Sequence, residues 1–466
     1  MFLETIRSEG IAHLSYLVGD ETTGEAAVID PRRDMQVYID EAHARGTRIV
    51  RIFETHRNED YVIGSQDLSR RTGASIHHGA GLPFGYGETV EDGDSFAIGN
   101  VELRVLSTPG HTYESISLVM ADRSVSDEAI GVFTGDALFI GDVGRTDFFP
   151  ERREEVAGLL YDSLFKTILP LGDHVILYPA HGAGSVCGNN MVKREFSTLG
   201  YEKRHNPMLQ KTDRDEFVKI KANETHPLPP YFKKMEQYNL DGPPVRELPP
   251  QPVPLTADGF DRLMTSKLQV LDVRSPEALS GAFIEGSLAI PVGMIPAWAG
   301  WFLDYDTPIA LVVEDTADVC YAVQNLYRIG YDNILGYLAG GMEDWETSGR
   351  PYDAIPAIHA GTLSERLEQG PEFTLLDVRA AEEFESGHLP EAKNIYLGDL
   401  PDRLDEVPKD NPVVTFCGSG RRALIGATIL KKNGYEIVDN CLGSMAACQD
   451  VGCAIVPGEK TEAVKG

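Results

Sequence analysis

The chain has 466 residues, with 42 Lys and Arg against 72 Asp and Glu, a formal net charge of −30 and a pI near 4.7. That length predicts roughly two to four domains, each able to bury its own core, and the acidity excludes nucleic acid and anionic membranes as partners in favour of a solvated acidic surface. No apolar run is long enough to span a bilayer and the opening MFLETIRSEG carries acid early, so neither a membrane span nor a signal peptide is expected and the cytoplasm is the expected compartment.

In chain order, IAHLSYLVGD and EAAVIDP read as two strands separated by a polar turn, and residues 35–45 have helical spacing. RIVRIF (48–53) is β-branched and apolar and reads as a buried strand, which puts ETHRNEDY (54–61) on the loop past its C-terminal end, where catalytic and metal-binding groups commonly lie. Short strands then alternate with Gly-rich turns over 74–105 and end in VELRVL before STPGHT. TGDALF and YPAHGAG follow, so His111, Asp136 and His181 join His56 on loops at strand ends.

These strings resemble the metallo-β-lactamase superfamily, whose usual motif is Thr-His-x-His-x-Asp-His. Here Asn58 and Tyr61 stand where the second and third histidines belong. Each removes one ligand from a two-zinc hydrolytic site of the glyoxalase II type. What stays intact is His56, His111 and Asp136, two imidazoles and a carboxylate with open positions, the facial triad of non-haem Fe(II) oxygenases. The N-terminal part resembles the persulfide dioxygenase branch that uses this set.

That resemblance implies one Fe(II) per chain, with zinc as its replacement after aerobic purification, and a low-molecular-weight thiol persulfide and O2 as substrates. It also implies that Arg145 of GRTDF holds the anionic end of a glutathione-like substrate, with a surface ion pair as the other reading. Asp147 is expected either to orient a ligand or to cap a turn. Asp60 and His181 either hydrogen-bond ligands and iron-bound water or are satisfied structural groups, and Tyr61 lies in the same region or packs in the core. Cys187, in AHGAGSVCG, accepts sulfane sulfur in similar fused dioxygenase-sulfurtransferases; a small buried hydrophobe is the alternative. Adjacent His77 and His78 point apart in any regular element and are not expected as co-ligands.

DGPPVRELPPQPVP is Pro-rich and reads as a stiff extended linker. Beyond it VLDVRSPEAL recurs as LLDVRAAEEF, and NLYRIGYDNI as ILKKNGYEIV at an offset of 104 residues, so a parallel α/β unit is repeated. These strings, with AGGMEDW and GHLPEAKNI, resemble the rhodanese family. In the last copy Cys417 follows a buried strand and a small Gly-containing loop leads into a helix, which aims backbone N–H groups at a thiolate. Rhodaneses carry the transferred sulfur on this cysteine, and Arg421 and Arg422 add positive charge for sulfite or thiosulfate. In the middle copy Val313 and Ala317 occupy the positions of Cys417 and the loop arginine, so that copy is expected to be silent; Cys320, Cys441, Cys448 and Cys453 are expected to pack. The six cysteines form no C-x-x-C pair and are expected to be reduced thiols.

The expected architecture is α/β: a metallo-β-lactamase αββα sandwich over 1–241, a linker over 242–254, an inactive rhodanese-like domain over 255–353 and an active one over 354–466, each with a parallel sheet. The family implies a homo-oligomer. The expected function is persulfide oxidation to sulfite coupled to sulfur transfer through Cys417. Two alternatives stand beside it: a glyoxalase II-like thioester hydrolase, and a sulfurtransferase whose first domain is poor in metal.

Overall fold

A computed structural model describes the chain except residues 186–187, 189–190, 247, 266, 371 and 458–466. The backbone divides into two compact units, Met1–Pro249 with Tyr327–Gly330, and Pro250–Leu326 with Tyr331–Gly466. No helix among the described residues is long and apolar enough to cross a membrane.

The first unit is an αββα sandwich. One sheet runs β1 (Phe2–Ser8), β2 (His13–Asp20), β3 (Glu25–Ile29), β4 (Arg48–Glu54), β5 (Ser75–Gly79), β6 (Glu88–Val90) in spatial as in sequence order. The other is built from β7 (Ser95–Ile98), β8 (Val101–Ser107), β9 (Ile116–Asp122), β10 (Gly131–Gly135), β11 (Ile176–Pro179) and β12 (Ser197–Thr198), again adjacent in order. Val18, Ala27, Ile29 and Phe53 from the first sheet meet Leu103, Val105, Leu118 and Phe133 from the second in the central core. Tyr38 and Ala42 of helix Gln36–Ala44 and Leu68 of helix Ser65–Thr72 cover the outer face of the first sheet. Leu160 and Phe217, from helices Arg153–Asp162 and Arg214–Asn223, cover the second. RIVRIF is apolar where β4 is buried, at Ile49, Ile52 and Phe53, while Arg48 is exposed and Arg51 only half-buried. The pairing matters for chemistry: β3 and β4 are parallel, with Ile29 opposite Phe53. Their C-terminal ends therefore bring Asp30 and Thr55 to one edge.

The second unit holds two sheets of the same topology. β13 (Val253–Leu255), β14 (Gln269–Asp272), β15 (Leu288–Ala289), β16 (Ile309–Val312) and β17 (Ile334–Leu338) form an all-parallel sheet of order β13-β17-β16-β14-β15. β18 (Ala357–His359), β19 (Thr374–Asp377), β20 (Lys393–Asn394), β21 (Val413–Phe416) and β22 (Val438–Leu442) repeat it as β18-β22-β21-β19-β20. The Pro-rich stretch is shorter than its composition suggests, because Val253 and Pro254 pair with Gly336 and Tyr337 at the edge of the first of these sheets. A proline is tolerated at such an edge.

The repeated D-V-R string is a clamp. Arg379 donates to both carboxylate oxygens of Asp377 and to the Gly387 carbonyl, and Arg274 does the same with Asp272 and the Ala282 carbonyl. Both pairs are buried at the end of a central strand, and each ties that strand to the segment after the next helix. Removing one partner of a buried ion pair strands the other charge, at a cost of about 3–5 kcal/mol. Arg274→Met and Arg379→Met are each expected to lower stability by that amount, read as a shifted urea transition, and with equal effect in the two copies.

Candidate active site

Four loops at the same edge of the sandwich supply the site. His56 follows β4, His111 lies between β8 and β9, Asp136 follows β10 directly, and His181 lies just past β11. Gly135 lets the Asp136 loop come close to the end of β4: its φ is +53°, and a Cβ there would stand 2.6 Å from Thr55 Oγ1. All four side chains are buried.

Asp136 Oδ2 lies 3.6 Å from His56 Nε2 and 3.5 Å from His111 Nε2. The other nitrogen of each ring is held by the protein. His56 Nδ1 donates to Thr55 Oγ1 at 2.9 Å, and that hydroxyl donates in turn to Asp30 at 2.7 Å. His111 Nδ1 donates to the Arg145 carbonyl at 3.0 Å. These bonds fix the tautomers and leave both Nε2 lone pairs aimed at Asp136. His181 Nδ1 donates to the other oxygen, Asp136 Oδ1, at 2.7 Å, and its Nε2 stands 3.1 Å from Asp60 Oδ2.

The charge pattern follows from burial and these neighbours. Burial pulls the His56 imidazole down to about 4, against the opposing pull of Asp136. Burial opposes ionisation of Asp136, yet His181 and His56 outweigh it and hold the carboxyl far below the usual range. His181 is pushed well up despite burial, by Asp136 and Asp60. Burial raises Asp30 to about 7, against the hydrogen bonds from Thr55.

His56 Nε2, His111 Nε2 and Asp136 Oδ2 have no hydrogen-bond partner among the described residues. Buried polar atoms left so cost free energy unless something else binds them. Two imidazole lone pairs, each within 3.6 Å of one carboxylate oxygen, fit a divalent cation. A second metal fits poorly. Asn58 turns its amide to the His56 carbonyl, and the Tyr61 ring lies 4.2 Å from that of His13.

Several groups escaped sequence reading. Glu59 is buried beside the triad, its Oε2 3.6 Å from His111 Nε2, and His56, Glu59 and His111 converge as a possible metal cluster. It occupies an x position of the motif, so no motif signal marks it. His13 is fully buried, with neither ring nitrogen hydrogen-bonded among the described residues, its ring 5.5 Å from that of His181. Asn239 donates to the Asn58 and Tyr61 carbonyls and accepts from Ile63, which pins the loop from 181 residues away in sequence. A cavity of about 530 Å³ reaches His13 and His181 and is walled by Arg7, Lys193 and Arg194 as well as Glu9 and Glu195.

Other expectations change. Arg145 is fully buried, its guanidinium bound by both oxygens of Asp147 at 2.6 and 2.8 Å and by the Pro227 and His226 carbonyls. Two residues apart in GRTDF, arginine and aspartate satisfy each other, so Arg145 presents nothing to a substrate anion and Asp147 serves the arginine instead of a ligand. It is the Arg145 backbone that orients His111. Cys187 lies outside the described residues. His77 faces Phe53 and Phe96 while His78 stacks on Phe84, both away from the triad.

In the second unit Cys417 is buried at the end of β21, and the Gly420 N–H points at its sulfur at 3.1 Å. Helix Arg421–Lys432 starts immediately after, with Gly420 at φ +91°. Its N-terminus favours an anion at the sulfur. Arg422 makes a two-pronged ion pair with Glu383 at 2.6 and 2.7 Å, so its charge is already balanced, whereas Arg421 is exposed. Arg421 and Ser419 line a cavity of about 840 Å³ shared with Arg274, Glu314 and Asp318 of the middle copy. At the position of Cys417 that copy has Val313, buried. Cys441, Cys448 and Cys453 are buried, but Cys320 is exposed on helix Thr316–Arg328.

Thr55→Val removes the hydroxyl that holds His56 and leaves the side-chain shape. The variant is expected to fold and to bind a divalent cation about 10–100-fold more weakly in a chelator competition.

Comparison with known proteins agrees with this fold. The model of the rhodanese-like domain matches residues 256–348 and 359–450. The human mitochondrial persulfide dioxygenase ETHE1 is 33% identical over 233 residues, covering 46% of this chain and 78% of that protein. A hydroxyacylglutathione hydrolase of Rhodospirillum rubrum is 37% identical over 172 residues, covering 35% of this chain and 62% of that protein. Among solved structures, a metallo-beta-lactamase from Staphylococcus aureus subsp. aureus COL is 33% identical with a TM-score of 0.65, covering 72% of this chain and 98% of that one. With a buried two-histidine, one-carboxylate centre in a metallo-β-lactamase fold and this likeness over its N-terminal half, the chain belongs to the persulfide dioxygenase family, here fused to two rhodanese-like domains.

Proposed function

We propose that residues 1–241 form an Fe(II) persulfide dioxygenase, that residues 255–353 form a silent rhodanese-like domain, and that residues 354–466 form a rhodanese that moves sulfur through Cys417. The observation that carries the first part is the trio of unpartnered atoms on His56, His111 and Asp136. His56 and His111 would bind the iron through Nε2, Asp136 through Oδ2. Bound there, ferrous iron supplies the one-electron chemistry that lets O2 react with a persulfide sulfur. His181 holds the far oxygen of Asp136, and so fixes which oxygen faces the centre. A thiol persulfide would approach through the cavity that reaches His181, where Lys193 supplies positive charge beside Arg7 and Arg194, which are ion-paired to Glu195 and Glu202. The overall reaction is persulfide plus O2 plus water giving thiol, sulfite and two protons.

At Cys417 the thiolate attacks the outer sulfur of a second persulfide; the S–S bond breaks, the thiol leaves, and the sulfur stays on the cysteine. Sulfite then takes that sulfur as thiosulfate and restores the thiolate. The Gly420 N–H and the helix start stabilise the anionic sulfur in both steps. A thioester hydrolase is disfavoured because Asn58 and Tyr61 deny it a second metal. A homo-oligomer is part of this reading by family habit.

Two variants separate the domains. His111→Ala is expected to abolish O2 uptake by the Fe(II)-loaded protein with glutathione persulfide, while thiosulfate still forms from persulfide and added sulfite. Cys417→Ser is expected to do the reverse. Uptake surviving His111→Ala would remove the dioxygenase reading, and unchanged thiosulfate formation by Cys417→Ser would remove the sulfurtransferase.

A further inference from the structure

Glu59 sits inside the metal loop, between Asn58 and Asp60, and its side chain is buried. Its two oxygens have different fates. Oε1 accepts from Arg57 at 3.1 Å, whereas Oε2 has no hydrogen-bond partner among the described residues and stands 3.6 Å from His111 Nε2. Ligand atoms of His56, Glu59 and His111 all lie within 4.8 Å of one another, and the Nε2 atoms of the same two histidines stand 3.6 and 3.5 Å from Asp136 Oδ2. A carboxylate that served only as the counterion of Arg57 would gain nothing by burying its second oxygen against two imidazole lone pairs. A carboxylate that binds a cation needs that arrangement. Arg57 meanwhile also reaches Glu236 at 3.5 Å, so the cationic side of the loop is anchored twice and holds Glu59 turned inward.

We infer that Glu59 is a fourth protein ligand, and that the centre is a two-histidine, two-carboxylate site for a divalent cation. This deepens the dioxygenase reading and rests on it. A fourth donor leaves one fewer open position than the facial triad, and two carboxylates balance the charge of the cation. The site is thereby tuned for firm retention of the metal, with less attraction for a second anionic ligand. Asn58 acquires a reason as well: with Glu59 supplying a donor, the histidine missing from the motif is not needed at this centre.

The test uses the full-length protein and two readouts other than activity: ferrous-ion affinity by anaerobic competition with a chromogenic chelator, and the visible d–d spectrum of the Co(II)-substituted protein. Glu59→Gln is expected to weaken ferrous binding at least about tenfold and to change the Co(II) band intensities. Arg57→Gln, which loosens the anchor but keeps the carboxylate, is expected to change the ferrous affinity and the Co(II) bands less than Glu59→Gln does. Should Glu59→Gln fail to fold, Glu59→Asp, which keeps the charge and withdraws the oxygen, carries the same expectation. Parental affinity and spectrum in the Glu59 variant, with affinity lost in His111→Ala, would overturn the inference and leave the triad standing. So would an Arg57→Gln spectrum that reproduces the Glu59→Gln change. A parent chain that takes up no ferrous ion, or His111→Ala with parental affinity, would bring down the iron reading itself.

Discussion

The structure depends on a conflict built into one edge of the sandwich, where the fold buries polar atoms that it does not satisfy. An unsatisfied buried donor or acceptor costs about 1–3 kcal/mol. Here His56, His111, Asp136 and Glu59 each leave one such atom facing the others. The fold holds that arrangement because each side chain is gripped from behind. Thr55 and Asp30 hold His56, the Arg145 carbonyl holds His111, His181 holds Asp136, and Arg57 holds Glu59. The gripping groups come from different strands, so the central core of the sandwich sets their spacing. Binding a cation converts the unfavourable part of that ledger into affinity.

The second unit shows the same separation of scaffold from chemistry by a different route. Both copies keep the strand order and the Asp-Arg clamp, and these act through burial, not through catalysis. Only the loop after the fourth strand of each copy differs in chemistry, Cys417 in one and Val313 in the other. A fold whose stability lies in the clamp and in its own apolar cluster tolerates that loss. The copy with Val313 still contributes to the site of the other, since Arg274, Glu314 and Asp318 line the cavity that Arg421 opens onto.

Much of this was legible in the sequence, for reasons that are local. Ile49, Val50, Ile52 and Phe53 are β-branched or aromatic, so 48–53 announced β4, and turn glycines marked the loops where His111, Asp136 and His181 lie. The tandem repeat was visible because the clamp needs aspartate and arginine two residues apart. What stayed hidden was non-local. Asp30 matters only because β3 runs parallel to β4, and Asn239 only because its helix returns to the metal loop. Charges misled in the same way. Arg145 and Arg422 look available for anionic substrates in the sequence, but each finds an internal carboxylate, Asp147 two residues on and Glu383 on another helix. Cys320 was expected to pack because free cysteine usually does, yet its face of helix Thr316–Arg328 is turned to solvent.

The pairing of Arg422 has a consequence for the transfer step. A guanidinium already neutralised by Glu383 attracts an incoming dianion weakly, and the cavity beyond it carries Glu314 and Asp318 as well as Arg421 and Arg274. Long-range attraction is therefore a poor source of selectivity for sulfite at this site. Short-range geometry remains: one backbone N–H aimed at the sulfur and a helix start behind it. Both act on the anion formed on Cys417 more than on the acceptor, because they lie against the sulfur and not across the cavity. In the proposed transfer the loop would thus stabilise an anionic sulfur in the loaded and unloaded states of the cysteine alike.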